Sequence, residues 1–302
     1  MREFVLAGRR IADDTPAYLV AEVGNNHGGL VRDALALVRM SAGCGADAVK
    51  FQARDNATLY SQALLNRDYR NAASFGDTYG THRVTLELPD EGYVAIAAQA
   101  QRVGIPWFAT AFDERSADRL LRLGVQALKI ASGGVTDVPL LTHCRSLGVP
   151  VVLSTGGSSL AEIDRAVAVL GGGSCALAVL HCTAAYPADY AELNLRCITT
   201  LRERYPELVI GWSGHDVGIA MSVAAYMLGA RIIEKHVTLN RTAKGTDHAF
   251  SLEPSGLRRL ARDLARAHHA CGDGVKRVYA SEAVPLAKMR RTHGPEGYKI
   301  YG

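Results

Sequence analysis

The chain has 302 residues, 48% of them hydrophobic, enough for one large buried core, and an α/β barrel uses about 250 residues as a single domain. Basic and acidic residues nearly balance, 34 against 30, so the net charge of +4 gives no reason to expect a nucleic acid or a membrane surface as partner. The N-terminus lacks a signal-peptide core, no run approaches the ~20 apolar residues that span a bilayer, and six cysteines without a CxxC pair read as free thiols, which together predict a cytoplasmic protein without disulfides.

Residues Phe4 to Ile11 (FVLAGRRI) are two short apolar pieces around Gly8, predicting a β-hairpin within residues 1–16 that plugs one end of the main fold. From Ala17 onward β-type and helix-type runs alternate. AYLVAEVG precedes a helix over Val31 to Ser41, ADAVKFQ one over Asp90 to Arg102, IPWFATAF one over Glu114 to Leu123, and VQALKIAS one over Val138 to Leu147. VPVVLSTG, CALAVLHC, LVIGWS and RIIEKHV continue the rhythm to eight units, the last helix running from Pro254 to His269. Strands as uniformly apolar as VVL, ALAVL and LVIGW are buried on both faces, as in a parallel barrel inside a ring of helices. The expected fold is therefore α/β: a (β/α)8 TIM barrel over residues 17–270, preceded by the hairpin and followed by a short irregular, basic tail, 271–302. A doubly wound sheet wants GxGxxG after its first strand, and GNNHGG does not match. The long connection Ala53 to Glu87, rich in Asn, Asp, Tyr and Arg, predicts a lid or an oligomer contact.

Barrel enzymes carry their chemistry at the C-terminal strand ends, and here those ends are polar. They present Glu22, Lys50 and Gln52, Thr110 and Asp113, Lys129 and Ser132, Ser154, His181 and Tyr186, Ser213 and His215, then Glu234, Lys235 and His236, with Asp247 and His248 in the loop beyond. Only seven lysines occur, and Lys50, Lys129 and Lys235 all fall in or at the ends of strands, where a cation needs an anionic partner. Lys50 and Lys129 among the serines suit a small phosphorylated or carboxylated anion, unless they form structural ion pairs with Glu22 or Asp113. His215 and His236, at the ends of neighbouring strands, can share one metal ion and leave positions open to substrate oxygens. A desolvated lysine forming a Schiff base, as in a metal-free aldolase, is the mechanistic rival. Glu234 and Lys235 alternate on one strand, so one of them faces the helices; His181 reads as a satisfied barrel-interior residue.

The ordered series AEVGNNHGG, DAVKFQ, FATAFDE, ALKIASG, VVLSTGG, LHCTAAYP, GWSGHDVG, IEKHVTL and GTDHAFSL, spanning nearly all of residues 17 to 265, resembles the sialic acid synthase (N-acetylneuraminate synthase) family. The resemblance implies a barrel enzyme that condenses phosphoenolpyruvate (PEP) with an aldehyde sugar, giving a 2-keto-3-deoxy acid and phosphate. It implies His215 and His236 as ligands of a divalent metal, Mn2+ or Mg2+; Lys50, Lys129, Ser132, Ser154, Tyr186 and Ser213 as PEP and phosphate contacts; and Glu22, Gln52 and Asp247 as residues meeting the acceptor sugar. Glu22, His215, His236 and Asp247 form the expected catalytic group. Relatives are dimers, so a homodimer is a possible assembly. Two departures bear on the acceptor: the chain stops at Gly302 without the family's C-terminal antifreeze-like domain, and position 184, Asn or Ser in many relatives, is Ala184. The expected acceptor is accordingly an aldehyde other than N-acetylmannosamine, such as a non-acylated, nucleoside-linked or phosphorylated sugar. The competing readings are a non-catalytic barrel that binds a phosphorylated ligand and a lyase-type aldolase that uses pyruvate.

Overall fold

A computed structural model describes residues 2–172, 175–294 and 297–300. Strands β1 (Glu3–Leu6) and β2 (Arg9–Ala12) pair antiparallel with Phe4 opposite Ile11. Alternation along this hairpin turns Phe4, Leu6 and Ile11 to one face, where they pack with Tyr18, Phe108 and Leu180 from the barrel interior, so the hairpin plugs the barrel as expected.

The main fold is a closed parallel barrel of eight strands: β3 (Tyr18–Glu22), β4 (Ala48–Ala53), β5 (Trp107–Ala111), β6 (Leu128–Ile130), β7 (Val151–Ser154), β8 (Leu177–Cys182), β9 (Val209–Gly214) and β10 (Ile232–His236), with β10 returning to β3. Between them run α1 (Val31–Gly43), α5 (Asp90–Val103), α6 (Glu114–Arg122), α7 (Val138–Ser146), α8 (Leu160–Gly171), α9 (Cys197–Arg204), α10 (Ala220–Met227) and, after β10, α11 (Pro254–Cys271). Local chemistry sets their ends. Asp113 caps α6 by accepting from Ser116 N–H at 2.8 Å, and Ser159 with Glu162 forms a reciprocal capping box on α8. Outward strand positions such as Leu19, Phe51 and Ile233 join the helices in one core, while the inward positions form the second core above the hairpin.

The connection after β4 carries three short helices, α2 (Asn56–Leu59), α3 (Gln62–Leu65) and α4 (Tyr79–Leu86). Each starts on a side-chain cap, Asp55, Ser61 or Thr78, which is how a polar stretch without strong periodicity becomes ordered.

Residues through His268 form one compact unit and His269 onward a second, small one. The tail expected to be irregular holds α12 (Ala283–Met289) and an antiparallel pair, β11 (Arg291–Gly294) with β12 (Gly297–Ile300). The run AVPLAKM is rich in helix formers, and Glu282 accepts from Tyr279 N–H at 2.7 Å in the turn just before it. Among the described residues no helix is long and apolar enough to cross a membrane.

Candidate active site

Strand period decides the site. Tyr18, Ala48, Phe108, Ala127, Val152, Leu180, Val209 and Ile232 face the barrel interior, so positions an even number of residues further along each strand do too. At the C-terminal ends these are Glu22, Lys50 and Gln52, Thr110, Lys129, Ser154, Cys182, Ser213, and Glu234 with His236. The apolar interior thus ends in a polar layer, which opens into a cavity of about 540 Å³. All the residues expected in the site line that cavity: Glu22, Lys50, Gln52, Lys129, Ser132, Ser154, Tyr186, Ser213, His215, His236 and Asp247.

Cations and carboxylates alternate across the layer. Lys50 Nζ lies 2.9 Å from Glu22 Oε2, 3.6 Å from Glu234 Oε1 and 2.8 Å from Thr110 Oγ1. Gln52 donates to Glu22 Oε1 at 2.6 Å, and Ser213 donates to Glu234 Oε1 at 2.9 Å. Burial raises the Glu22 carboxyl to about 7; Lys50 opposes that shift and the neighbouring Glu234 charge adds to it. Burial also works against ionised Glu234, but Lys50, Lys129 and the Ser213 hydroxyl outweigh it and bring this carboxyl to about 2. Two carboxylates thus share one ammonium, and of the two Glu22 favours its protonated form more than Glu234 does.

Lys129 differs from Lys50. Its ammonium donates to Ser154 Oγ at 2.6 Å and to the Ile130 carbonyl at 2.9 Å and forms no ion pair among the described residues. Burial lowers it to about 8, Glu234 opposing and Lys50 assisting. Beside it, Gly156 N–H donates to Ser132 Oγ at 2.8 Å. A Cβ on Gly156 would lie 3.0 Å from both Ser132 Oγ and Ala184 N, so a larger residue here would have to push these neighbours aside.

The two imidazoles have ring centres 5.3 Å apart, with Phe250 against both and Tyr186 4.2 Å from His215. His215 Nδ1 lies 2.8 Å from the Thr183 carbonyl, which fixes a proton there and leaves the Nε2 lone pair free. His236 Nδ1 is buried without a hydrogen-bond partner, Asp247 Oδ2 lying 3.7 Å away. Burial keeps both rings neutral, His215 falling to about 4 and His236 to about 3. Neutral rings with unused lone pairs fit a divalent ion. No group of three or more His, Cys, Asp or Glu closes around one point among the described residues, so the chain would offer two imidazoles and leave other positions to water and substrate.

Several expectations are corrected. Glu234, left undecided, is in the site; the assignment of His236 to the interior already implied it, two residues earlier on the same strand. Lys235 faces the helices, fully buried, its Nζ 3.0 Å from Asp216 Oδ1 and 2.6 Å from the Asp216 carbonyl. His181 does not face the barrel interior: it points outward against Trp212 and bonds the Leu193 carbonyl at 2.8 Å. Asp113 pairs with no lysine among the described residues; it caps α6 and accepts from Asp55 N–H at 2.8 Å. Thr110, Cys182, Arg54 and the lid residues Tyr69, Tyr79, His82 and Arg83 also line the cavity. Thr110 shared the parity of Lys50 and could have been chosen by it, whereas the lid residues carried no periodic signal.

A model described as the NeuB family matches residues 37–276. The chain belongs to the NeuB family. It is 36% identical over 285 residues to an N-acetylneuraminate-9-phosphate synthase of Homo sapiens, covering 94% of this chain and 79% of that protein. An N,N'-diacetyllegionaminic acid synthase of Legionella pneumophila is 36% identical over 281 residues, covering 91% and 79%. A solved N-acetylneuraminic acid synthetase from Leptospira borgpetersenii superposes with a TM-score of 0.83 at 32% identity, over 96% of this chain and 98% of that one. As a member of the NeuB family the protein is an enzyme, a PEP-utilising condensing synthase.

Proposed function

We propose that the protein joins C3 of PEP to the aldehyde carbon of a sugar, releasing phosphate and giving a 2-keto-3-deoxy, sialic-acid-like acid. The observation that carries this is Lys129, a buried cation that forms no ion pair among the described residues, facing a cavity beside Ser132, Ser154 and the charged Lys50. Such a group favours an anion brought from outside, and PEP is small and multiply charged.

Lys50, Lys129, Ser132, Ser154 and Ser213 hold the phosphate and carboxylate of PEP. Glu22, balanced near neutrality, gives its proton to the aldehyde oxygen as C3 attacks and takes one from the water that then adds at C2. Gln52 keeps Glu22 oriented, and Glu234 stays ionised to hold Lys50 and Ser213. Tyr186 and Asp247 flank the imidazoles, where the acceptor enters. His215 and His236 would hold a divalent ion, Mn2+ or Mg2+, which when bound supplies Lewis acidity toward the acceptor aldehyde. An acceptor other than N-acetylmannosamine is part of this proposal.

A second reading draws on the same lysine: lowered to about 8, Lys129 suits a Schiff base with pyruvate. The test is phosphate release and keto-acid formation from PEP with a panel of aldoses, with pyruvate as the alternative donor. PEP-dependent release with stoichiometric keto acid supports the synthase. Equal turnover with pyruvate, and protein labelled by borohydride in its presence, supports the aldolase instead.

A further inference from the structure

Behind the two imidazoles lies a buried ion pair that the proposed chemistry does not use. Lys235 stands one residue before His236 on β10, and Asp216 one residue after His215 beyond the end of β9. Neither side chain has any exposure, and Lys235 Nζ donates both to Asp216 Oδ1 at 3.0 Å and to the Asp216 carbonyl at 2.6 Å. The pairing of β9 with β10 ends at Gly214 and Lys235, one residue short of each histidine, so the ammonium clamp takes over where strand pairing stops. His236 has its own anchor on β3: it pairs with Glu22, and Val237 N–H donates to the Glu22 carbonyl at 2.8 Å. His215 is anchored to the segment after β8, where Ala188 N–H donates to its carbonyl at 3.2 Å and its Nδ1 lies 2.8 Å from the Thr183 carbonyl. Each histidine is thus tied to a different neighbour, and Lys235 with Asp216 joins the two segments. Gly214 makes room for this, since a Cβ there would collide with Trp212 and lie 2.8 Å from Asp216 Oδ1.

A fully buried ion pair adds little to stability over apolar residues of similar size, because desolvating two charges offsets their attraction. What apolar contacts lack is direction. Two hydrogen bonds from one ammonium to one residue fix how far Asp216, and His215 with it, lies from β10. Ligands of a shared ion must be held to within about 0.5 Å, and two rings on separate strands need a support that fixes their spacing. We infer that the Lys235–Asp216 pair positions the metal site, setting the separation of imidazoles whose ring centres lie 5.3 Å apart, although neither of its side chains lines the cavity. This rests on the reading in which His215 and His236 hold a divalent ion.

The experiment titrates the metal-free full chain with Mn2+ under electron paramagnetic resonance and follows urea unfolding of the same samples. Lys235→Met with Asp216→Leu removes the clamp without changing net charge, and Asp216→Glu keeps both charges but lengthens the arm between them. Arg202→Met is the control, breaking a contact to Asp13 away from the cavity. The double variant is expected to unfold near the wild-type urea midpoint yet bind Mn2+ about tenfold or more weakly, and Asp216→Glu to bind it about tenfold more weakly. Arg202→Met should lose stability and keep its Mn2+ affinity. Wild-type affinity in the double variant, or in Asp216→Glu where the double variant does not fold, overturns the positioning role. An equal loss in Arg202→Met overturns it too, by showing that Mn2+ binding merely tracks stability. A wild-type chain that binds no Mn2+ overturns the two-histidine site itself and this inference with it.

Discussion

Replacing Lys129 with methionine is expected to move stability and function in opposite directions. In the folded protein burial lowers this lysine from 10.5 to about 8, so keeping it charged near pH 7 costs about 3 kcal/mol, at about 1.4 kcal/mol per pH unit. Methionine removes that penalty and forfeits the bonds to Ser154 and Ile130, each worth about 1 kcal/mol. The variant should therefore be more stable by about 1 kcal/mol, a rise in Tm of roughly 1.5–2 °C for a chain of 302 residues. Its affinity for PEP should fall by about 2–5 kcal/mol, roughly thirtyfold to several thousandfold, because a desolvated charge contact is lost. Thermal unfolding followed by circular dichroism reads the first effect and calorimetric titration with PEP the second. A variant that is several kcal/mol less stable and binds PEP normally would show that Lys129 serves the fold rather than the substrate.

Three further predictions follow the same geometry. Chelation should abolish turnover, and His236→Ala should weaken Mn2+ binding, measured directly by electron paramagnetic resonance, at least tenfold; full activity after exhaustive chelation would exclude the two-histidine site. His27, His215 and His236 are neutral in the folded protein, lowered by burial to about 4, about 4 and about 3, so the unfolded chain takes up protons first as pH falls below about 6.5. Stability of the metal-free protein should then fall by up to about 4 kcal/mol per pH unit between roughly pH 6 and pH 4, and urea midpoints that are flat across that range would contradict the neutral assignments. Lys235→Met should destabilise by about 3–5 kcal/mol because it strands Asp216 in a site with no solvent exposure, while Lys235→Met combined with Asp216→Leu should regain most of the loss in urea unfolding.

Much of this was legible from residue order. Eight alternating runs predicted the barrel because parallel strands buried on both faces have few other solutions, and helix starts such as Val31, Asp90, Glu114 and Val138 were read correctly. The polar strand ends marked the cavity for the same reason: an even spacing from buried Tyr18, Ala48 or Ile232 turns Glu22, Lys50 and Glu234 inward. Other features depend on distances that order alone does not contain. Glu22 near 7 and Glu234 near 2 are separated by how each sits relative to Lys50 and Lys129, not by residue type. His82 and Arg83 reach the cavity only because capped turns at Asp55, Ser61 and Thr78 fold the connection after β4 over the barrel mouth.

The central claim is that water attacks C2 of PEP after C3 has formed the new carbon–carbon bond, so that the C–O bond breaks. PEP carrying oxygen-18 at the bridging position, turned over with an accepted aldose, tests it by mass spectrometry of the released phosphate. The account predicts that the phosphate retains the label in full; unlabelled phosphate, the mark of P–O cleavage ahead of a pyruvate aldol step, would contradict it.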